Sequence, residues 1–308
     1  MKTMVQIEFQ AGQFPDKIDE ILALAGCGPD VARASGGFLH FFDPKTNKSF
    51  ADVTVTIHLD EGDHRIAKVL ALVKEFGKEF GEEADLTTFK VYSEQDRQNA
   101  RLLLMANTDD FMIGRGSQAG TKFDMTKGCE NCGTGVKQTW YLRVRRKDLP
   151  KVLEDRAKAT RSNEIMVDLD LRQKLVDAGI SGISFAEVHA RNENDEWIAI
   201  AREQILIEHT MPPIRAEFPA EGEKAVCRVC RRGGHMVMPQ NPLYREEDLT
   251  GMQDFNLTWE WFGGYGLRDR VRECVFARPE VLVTPKVMNI FRDAGVKSFE
   301  WTPVAIEG

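Results

Sequence analysis

Two C-x-x-C pairs, Cys129 with Cys132 and Cys227 with Cys230, constrain this chain more than any other feature of its sequence. Two residues between thiols let one tight turn offer both sulfurs to the same ion at about 2.3 Å, and a second such turn completes a tetrahedral site closed to water. The chain opens on MKTMVQIEFQ, which alternates like a strand and lacks a basic segment followed by an apolar core of roughly 7 to 15 residues. No secretory signal is therefore expected, and the location is predicted to be cytoplasmic. Disulfides are disfavoured there, so paired C-x-x-C sequences point to metal. The expected centre is a structural zinc ion held by Cys129, Cys132, Cys227 and Cys230. Such a centre contributes on the order of 10 to 16 kcal/mol in small peptides, comparable with the whole stability of a domain, about 5 to 15 kcal/mol. Gly133 suits the first turn, because a backbone bent around a sulfur often needs a conformation that only glycine adopts cheaply. Arg231 follows the second pair, so that turn is expected to be looser, and His235 stands as an alternative ligand. A redox pair would sit between a strand and a helix, whereas Cys129 lies in glycine-rich sequence. Cys27 and Cys274 are isolated and read as buried core thiols.

The chain has 308 residues, and at roughly 150 residues per domain about two domains are expected. A mean hydropathy of -0.35 and the lack of any run near 18 apolar residues give no membrane span. The predicted fold class is α+β. In the first part, Val5, Ile7 and Phe9 alternate as a strand, and Ile18, Ile21 and Leu22 fall at helical spacing. GGFLHFFDP and Val53, Val55, Ile57 and Leu59 then read as strands. A stripe of Ile66, Val69, Leu70, Val73, Phe76 and Phe80 marks a longer helix, and Phe89 and Val91 a last strand. The order β-α-β-β-α-β is that of a ferredoxin-like split βαβ domain, expected over residues 1–110. Ser93 and Asp96 stand at capping-box spacing, so a helix is expected from Glu94 to Met105, and the domain boundary near Asp110.

Residues 111–308 read as a double C-x-x-C zinc-binding domain of two related modules, about 111–215 and 216–308. The segment Ile165 to Val188 aligns without gaps on Val281 to Val304, each reading as strand, helix, glycine turn and strand. Both helices end in Asp-Ala-Gly, at Gly179 and Gly295, where glycine can take a positive φ and satisfy the last carbonyls.

Enzyme signatures are absent. There is no H-E-x-x-H, no G-x-x-x-x-G-K-[ST], no G-x-S-x-G and no H-x-E, and Gly114, Gly116 and Gly120 have the wrong spacing for a dinucleotide fingerprint. Four thiolates would also leave zinc no open position for an activated water. A noncatalytic role is expected. Net charge of -7 argues against a surface that is basic throughout. Eight basic residues nevertheless lie between Arg143 and Arg161, among them Arg143, Arg145 and Arg146. They read either as a nucleic-acid footprint or as a solvated helix face with Glu154 and Lys158 at i, i+4. Trp259, Trp261, Phe262 and Tyr265 form either a contact surface or a core strand entering a turn.

The sequence CENCG at Cys129 to Gly133, CRVC at Cys227 to Cys230, WEWFGGYG, and the closing FRDAGVKSFEWTPV together resemble the bacterial double-CxxCG motif family. Its members resemble immunity proteins of polymorphic toxin systems, including myxobacterial swarming-inhibition systems. The resemblance covers about the last 200 residues and implies a zinc-binding, noncatalytic protein that neutralises a cognate toxin by binding it. An acidic face would complement a basic effector and speed encounter. The second expectation is a zinc-ribbon protein that binds nucleic acid through the Arg143 to Arg161 segment.

Overall fold

The structure is a computed structural model that describes residues 1–10, 18–43, 48–77, 84–108, 113–216, 218, 226–235, 238–239, 242–263 and 277–308. The chain is mixed α+β and divides into two compact units, Met1–Ser93 and Glu94–Gly308.

In the first unit the expected alternation becomes β1 (Lys2–Gln10), α1 (Ile18–Ala25), β2 (Ala32–Asp43), β3 (Lys48–Asp60), α2 (Arg65–Gly77) and β4 (Asp85–Val91). Among the described residues the strands form one sheet in the order β2-β3-β1-β4, every neighbouring pair antiparallel. Val5, Ile7 and Phe9 of β1 and Val55, Ile57 and Leu59 of β3 point to one side, where they pack with Ile18, Ile21, Val69 and Val73 of the helices. Cys27 joins this core, and burial pushes its thiol pKa up, as an inert packed thiol requires.

The second unit begins with α3 (Glu94–Asn99) and β5 (Leu103–Asn107). The helix expected to reach Met105 therefore stops at Asn99. The burial of Leu102, Leu103 and Met105 turns the following segment into a strand. Next come β6 (Phe123–Asp124), β7 (Lys137–Gln138), β8 (Leu142–Val144), α4 (Leu149–Glu154), β9 (Ala157–Ala159), β10 (Ile165–Val167), α5 (Leu169–Asp177), β11 (Ile183–Arg191) and β12 (Trp197–Ile207). The remainder is β13 (Gly233–His235), β14 (Leu243–Arg245), β15 (Phe255–Phe262), β16 (Arg278–Val283), α6 (Pro285–Asp293), β17 (Phe299–Pro303) and β18 (Ala305–Glu307). Among the described residues two five-stranded sheets dominate, ordered β8-β11-β12-β10-β9 and β13-β15-β16-β5-β17.

The two aligned segments fold into the same elements, β10-α5-β11 and β16-α6-β17. Their helix ends match bond for bond. Gly179 (φ 61°) and Gly295 (φ 79°) donate to Val176 and Arg292 carbonyls, and Ile180 and Val296 donate to Leu175 and Phe291 carbonyls. That is the six-to-one and five-to-two pattern of a glycine-terminated helix. Leu171 and Leu175 of α5 and Val287, Met288 and Phe291 of α6 meet in one core, with Phe291 edge-on to Phe299 and Trp301 at 5.8 Å.

The segments differ in the origin of one strand. In each, the two flanking strands lie antiparallel to a strand between them: β12 between β10 and β11, and β5 between β16 and β17. β12 follows β11 directly, whereas β5 comes from the opposite end of the unit, ahead of both cysteine pairs. For this reason the units divide at Ser93 and Glu94 and not near Asp110. Leu103 and Met105 belong to the shared core, and each such side chain stabilises by about 1.5 to 3 kcal/mol. Residues 111–308 expressed alone should lose the near-ultraviolet circular dichroism of packed aromatics and the cooperative melt, while residues 94–308 should keep both. Equal melting of the two fragments would refute the role assigned to β5.

Candidate metal centre

The first cysteine turn sits at the tip of the β6–β7 pair, where Phe123 faces Gln138 and Asp124 faces Lys137. Asp124 accepts from Thr126 N at 2.9 Å and starts the short turn that leads to Cys129. Gly133 N then donates to Cys129 O at 2.7 Å, with Gly133 at φ 73°. The second turn closes the same way. Arg231 N donates to Cys227 O at 2.9 Å, and Arg231 itself adopts φ 62°. The looser turn expected from a missing glycine is not what forms. The turn is kept, and arginine takes the left-handed conformation, at a cost of roughly 1 to 2 kcal/mol for an L-residue.

The two turns pack edge to edge. At Gly233 an added Cβ would lie 2.0 Å from Thr134 Oγ1 and 3.0 Å from Cys132 Sγ, so only glycine permits this approach. The sulfurs of Cys129, Cys132, Cys227 and Cys230 consequently all lie within 4.8 Å of one another. Cys129 and Cys227 are 3.9 Å apart, and Cys132 and Cys230 are 3.5 Å apart. A disulfide would need about 2.05 Å, whereas a tetrahedron with metal–sulfur bonds of about 2.3 Å has edges of about 3.8 Å. The cysteines are free, and their cluster is of the size and chemistry that can hold a metal ion.

The electrostatics are uneven. Burial raises the thiol of Cys132 and that of Cys129. Burial opposes ionisation of Cys227 too, but the N–H groups of Cys230 and Val229 and the Asn131 amide, which donates to its sulfur at 3.2 Å, outweigh it and bring it down to about 6. The surroundings of Cys227 thus favour its thiolate form. His235 is no part of the cluster. Its Nε2 lies 3.2 Å from the Arg231 carbonyl, its ring packs on Phe218 at 4.5 Å, and burial lowers its pKa.

The other sequence candidates supply no sulfur and no ligand to the cluster. Trp259 and Trp261 are half-buried on β15, alternating with buried Thr258, Glu260 and Phe262. Trp261 lines a cleft with Phe123, Gln138, Glu164 and Arg278. Tyr265 and Cys274 lie outside the described residues. The segment from Arg143 to Arg161 is not one helix but β8, α4 and β9, and its charges are largely paired. Arg145 meets Asp148 at 2.6 Å, Arg156 meets Asp168 at 2.9 Å and also Asp170, Arg146 lies 4.0 Å from Glu193, and Lys158 lies 3.9 Å from Glu154 at the expected spacing. Arg232, which with Arg228 and Arg231 reads in the sequence as added charge at the second pair, instead ties the second turn to the tryptophans. Its Nε donates to Trp259 O at 2.9 Å, its guanidinium lies 5.5 Å over that ring, and its carbonyl accepts from Trp261 N at 2.6 Å.

Because Arg231 carries its cost only in the folded state, Arg231→Gly should raise the melting temperature by about 2 to 4 °C, the shift that about 1 kcal/mol makes in a unit of this size. Arg231→Ala, which keeps the Cβ, should give no gain. A loss of stability in the glycine variant would show that the arginine side chain outweighs its backbone. Compared with known proteins, the sequence matches no protein-family model and no curated protein.

Proposed function

We propose that the four thiolates hold one Zn2+ ion, that the ion is architectural, and that the protein acts by binding a partner, as an immunity-type protein that covers a bacterial toxin. The single observation that carries this reading is the mutual approach of four sulfurs within 4.8 Å from two separate turns. Soft thiolate donors in a tetrahedron favour zinc, and four of them leave no position for water or substrate. An ion so closed is no reaction centre, and recognition of a partner is the role we assign to the chain. The resemblance to the double-CxxCG family supports a toxin as the partner, and the sheet order β2-β3-β1-β4 supports the ferredoxin-like reading of the first unit. Free thiols suit a reducing compartment such as the cytoplasm. The nucleic-acid reading loses its main support, because Arg145 and Arg156 are engaged with carboxylates of their own chain.

Elemental analysis of the native protein should find one zinc per chain, and Cys132→Ser with Cys227→Ser should abolish it. Chelation should lower the melting temperature. Acidification from pH 7 to 5 should release the ion, since protons compete for the thiolates. A chain that is fully stable without stoichiometric metal would sink the architectural reading. Where an adjacent gene encodes a toxin, the two products should co-purify, and failure to do so would count against the immunity role.

A further inference from the structure

One side of β8, β11 and β12 closes over a core that includes Leu142, Val144, Val188 and Ala190. The alternate side chains of these strands, Arg143, His189, Arg191 and Trp197, stand on the other side, where Arg143 is in register with His189 and Arg191 with Trp197. There they form a ladder of rings and cations. Tyr141 stacks on His189 with centroids 3.5 Å apart and planes 9° from parallel. The Arg143 guanidinium lies 5.3 Å from the Tyr141 centroid and 4.5 Å from that of Trp197, whose ring also meets Arg191 at 5.1 Å. Beside them Trp140 is 49% exposed, with the Lys122 ammonium 5.0 Å over its ring.

The charges on this face are not equivalent. His189 pairs with Glu187 and Arg191 with Asp195. Among the described residues no carboxylate pairs with Arg143 or Lys122. Arg143 instead donates from Nη1 to Gly120 O at 3.1 Å and from Nη2 to Tyr141 Oη at 3.3 Å. These bonds and the flanking rings fix the guanidinium plane and leave three of its five N–H donors for a ligand. Its rotamer entropy is already lost, so the usual ordering cost of an arginine contact falls away. Tryptophan, tyrosine and arginine are also the residues that dominate interface hot spots.

Two anionic partners fit a cation–aromatic face, and the ring geometry separates them. A single nucleic-acid strand binds by stacking bases on open rings. Here His189 and Arg143 lie against Tyr141, and Arg143 and Arg191 against Trp197. A carboxylate needs no ring face, only the fork of a planar guanidinium. We propose that Arg143 and Lys122, framed by Trp140, Tyr141 and Trp197, dock an acidic segment of a protein partner, with one carboxylate seated on Arg143. This surface rests on the reading of the chain as a binding protein and gives the chemistry of what it binds.

The test is titration of the full, metal-loaded chain with a blocked hexaglutamate peptide, followed by tryptophan fluorescence and calorimetry. Hexalysine and a 15-nucleotide oligothymidylate serve as the other arms. Hexaglutamate should bind. Arg143→Ala should weaken it at least tenfold, Lys122→Ala severalfold, and Arg143→Lys should not restore the loss because lysine has no fork. Absence of hexaglutamate binding, or binding indifferent to both substitutions, would overturn the proposal. Tighter, Arg143-dependent binding of oligothymidylate would overturn it in favour of nucleic acid. Zinc content measured on every sample keeps the two readings apart. Lost binding with zinc retained locates the effect at this face, whereas a zinc-free chain that still binds hexaglutamate leaves this face standing and removes the metal reading alone.

Discussion

Four sulfurs from turns 98 residues apart converge to within 4.8 Å of one another, and both turns are tied into the strands of the second unit. The β6–β7 pair carries one turn, and β13 leads away from the other to lie along β15. The close approach at Gly233 lets the turns touch, and Arg232 fastens the second turn to Trp259. Packed thiols alone would hold such a joint weakly. Burial raises the thiol of Cys132 while neighbouring N–H groups favour the thiolate of Cys227, so the two turns bring sulfurs of unlike surroundings together.

Local physics made much of this architecture readable in advance. Val5, Ile7 and Phe9 fall on the buried side of β1 because strand alternation has a period of two, and the Asp-Ala-Gly endings close both helices through the same bonds. The cysteine spacing likewise reports a local turn. What stayed hidden depends on distant partners. Nothing within Leu103–Asn107 says that it pairs with β16 and β17, and a capping-box spacing at Ser93 invited a helix through a segment that the core needed as a strand. Arg231 misleads for a related reason: the preference against positive φ is worth only about 1 to 2 kcal/mol, and the closure of the cysteine turn outweighs it.

The basic segment shows how little a run of charge says without its partners. Asp148 is almost fully buried and accepts from both Arg145 and Gly114 N, so this ion pair holds a loop in place. Asp168 caps α5 through Leu171 N and also receives Arg156. Both arginines are thereby fasteners of the fold. Arg143, one strand away, looks the same in the sequence yet faces outward between two rings. Leu142 and Val144 filling the core turn Arg143 outward, and what separates it from Arg145 and Arg156 is the carboxylate that each of those two meets.

The placement of β5 has a consequence for how the chain must be made. This apolar strand ends at Asn107, yet its partner β16 begins only at Arg278. At about 5 to 20 residues per second, the interval is on the order of 10 to 30 seconds, during which Leu103 and Met105 have no sheet to join. The nascent polypeptide therefore carries an orphaned edge until β16 emerges, and β17 then covers the other side of the strand. Slowing elongation lengthens that exposure, and with it the time in which the unpaired edge can meet a wrong strand.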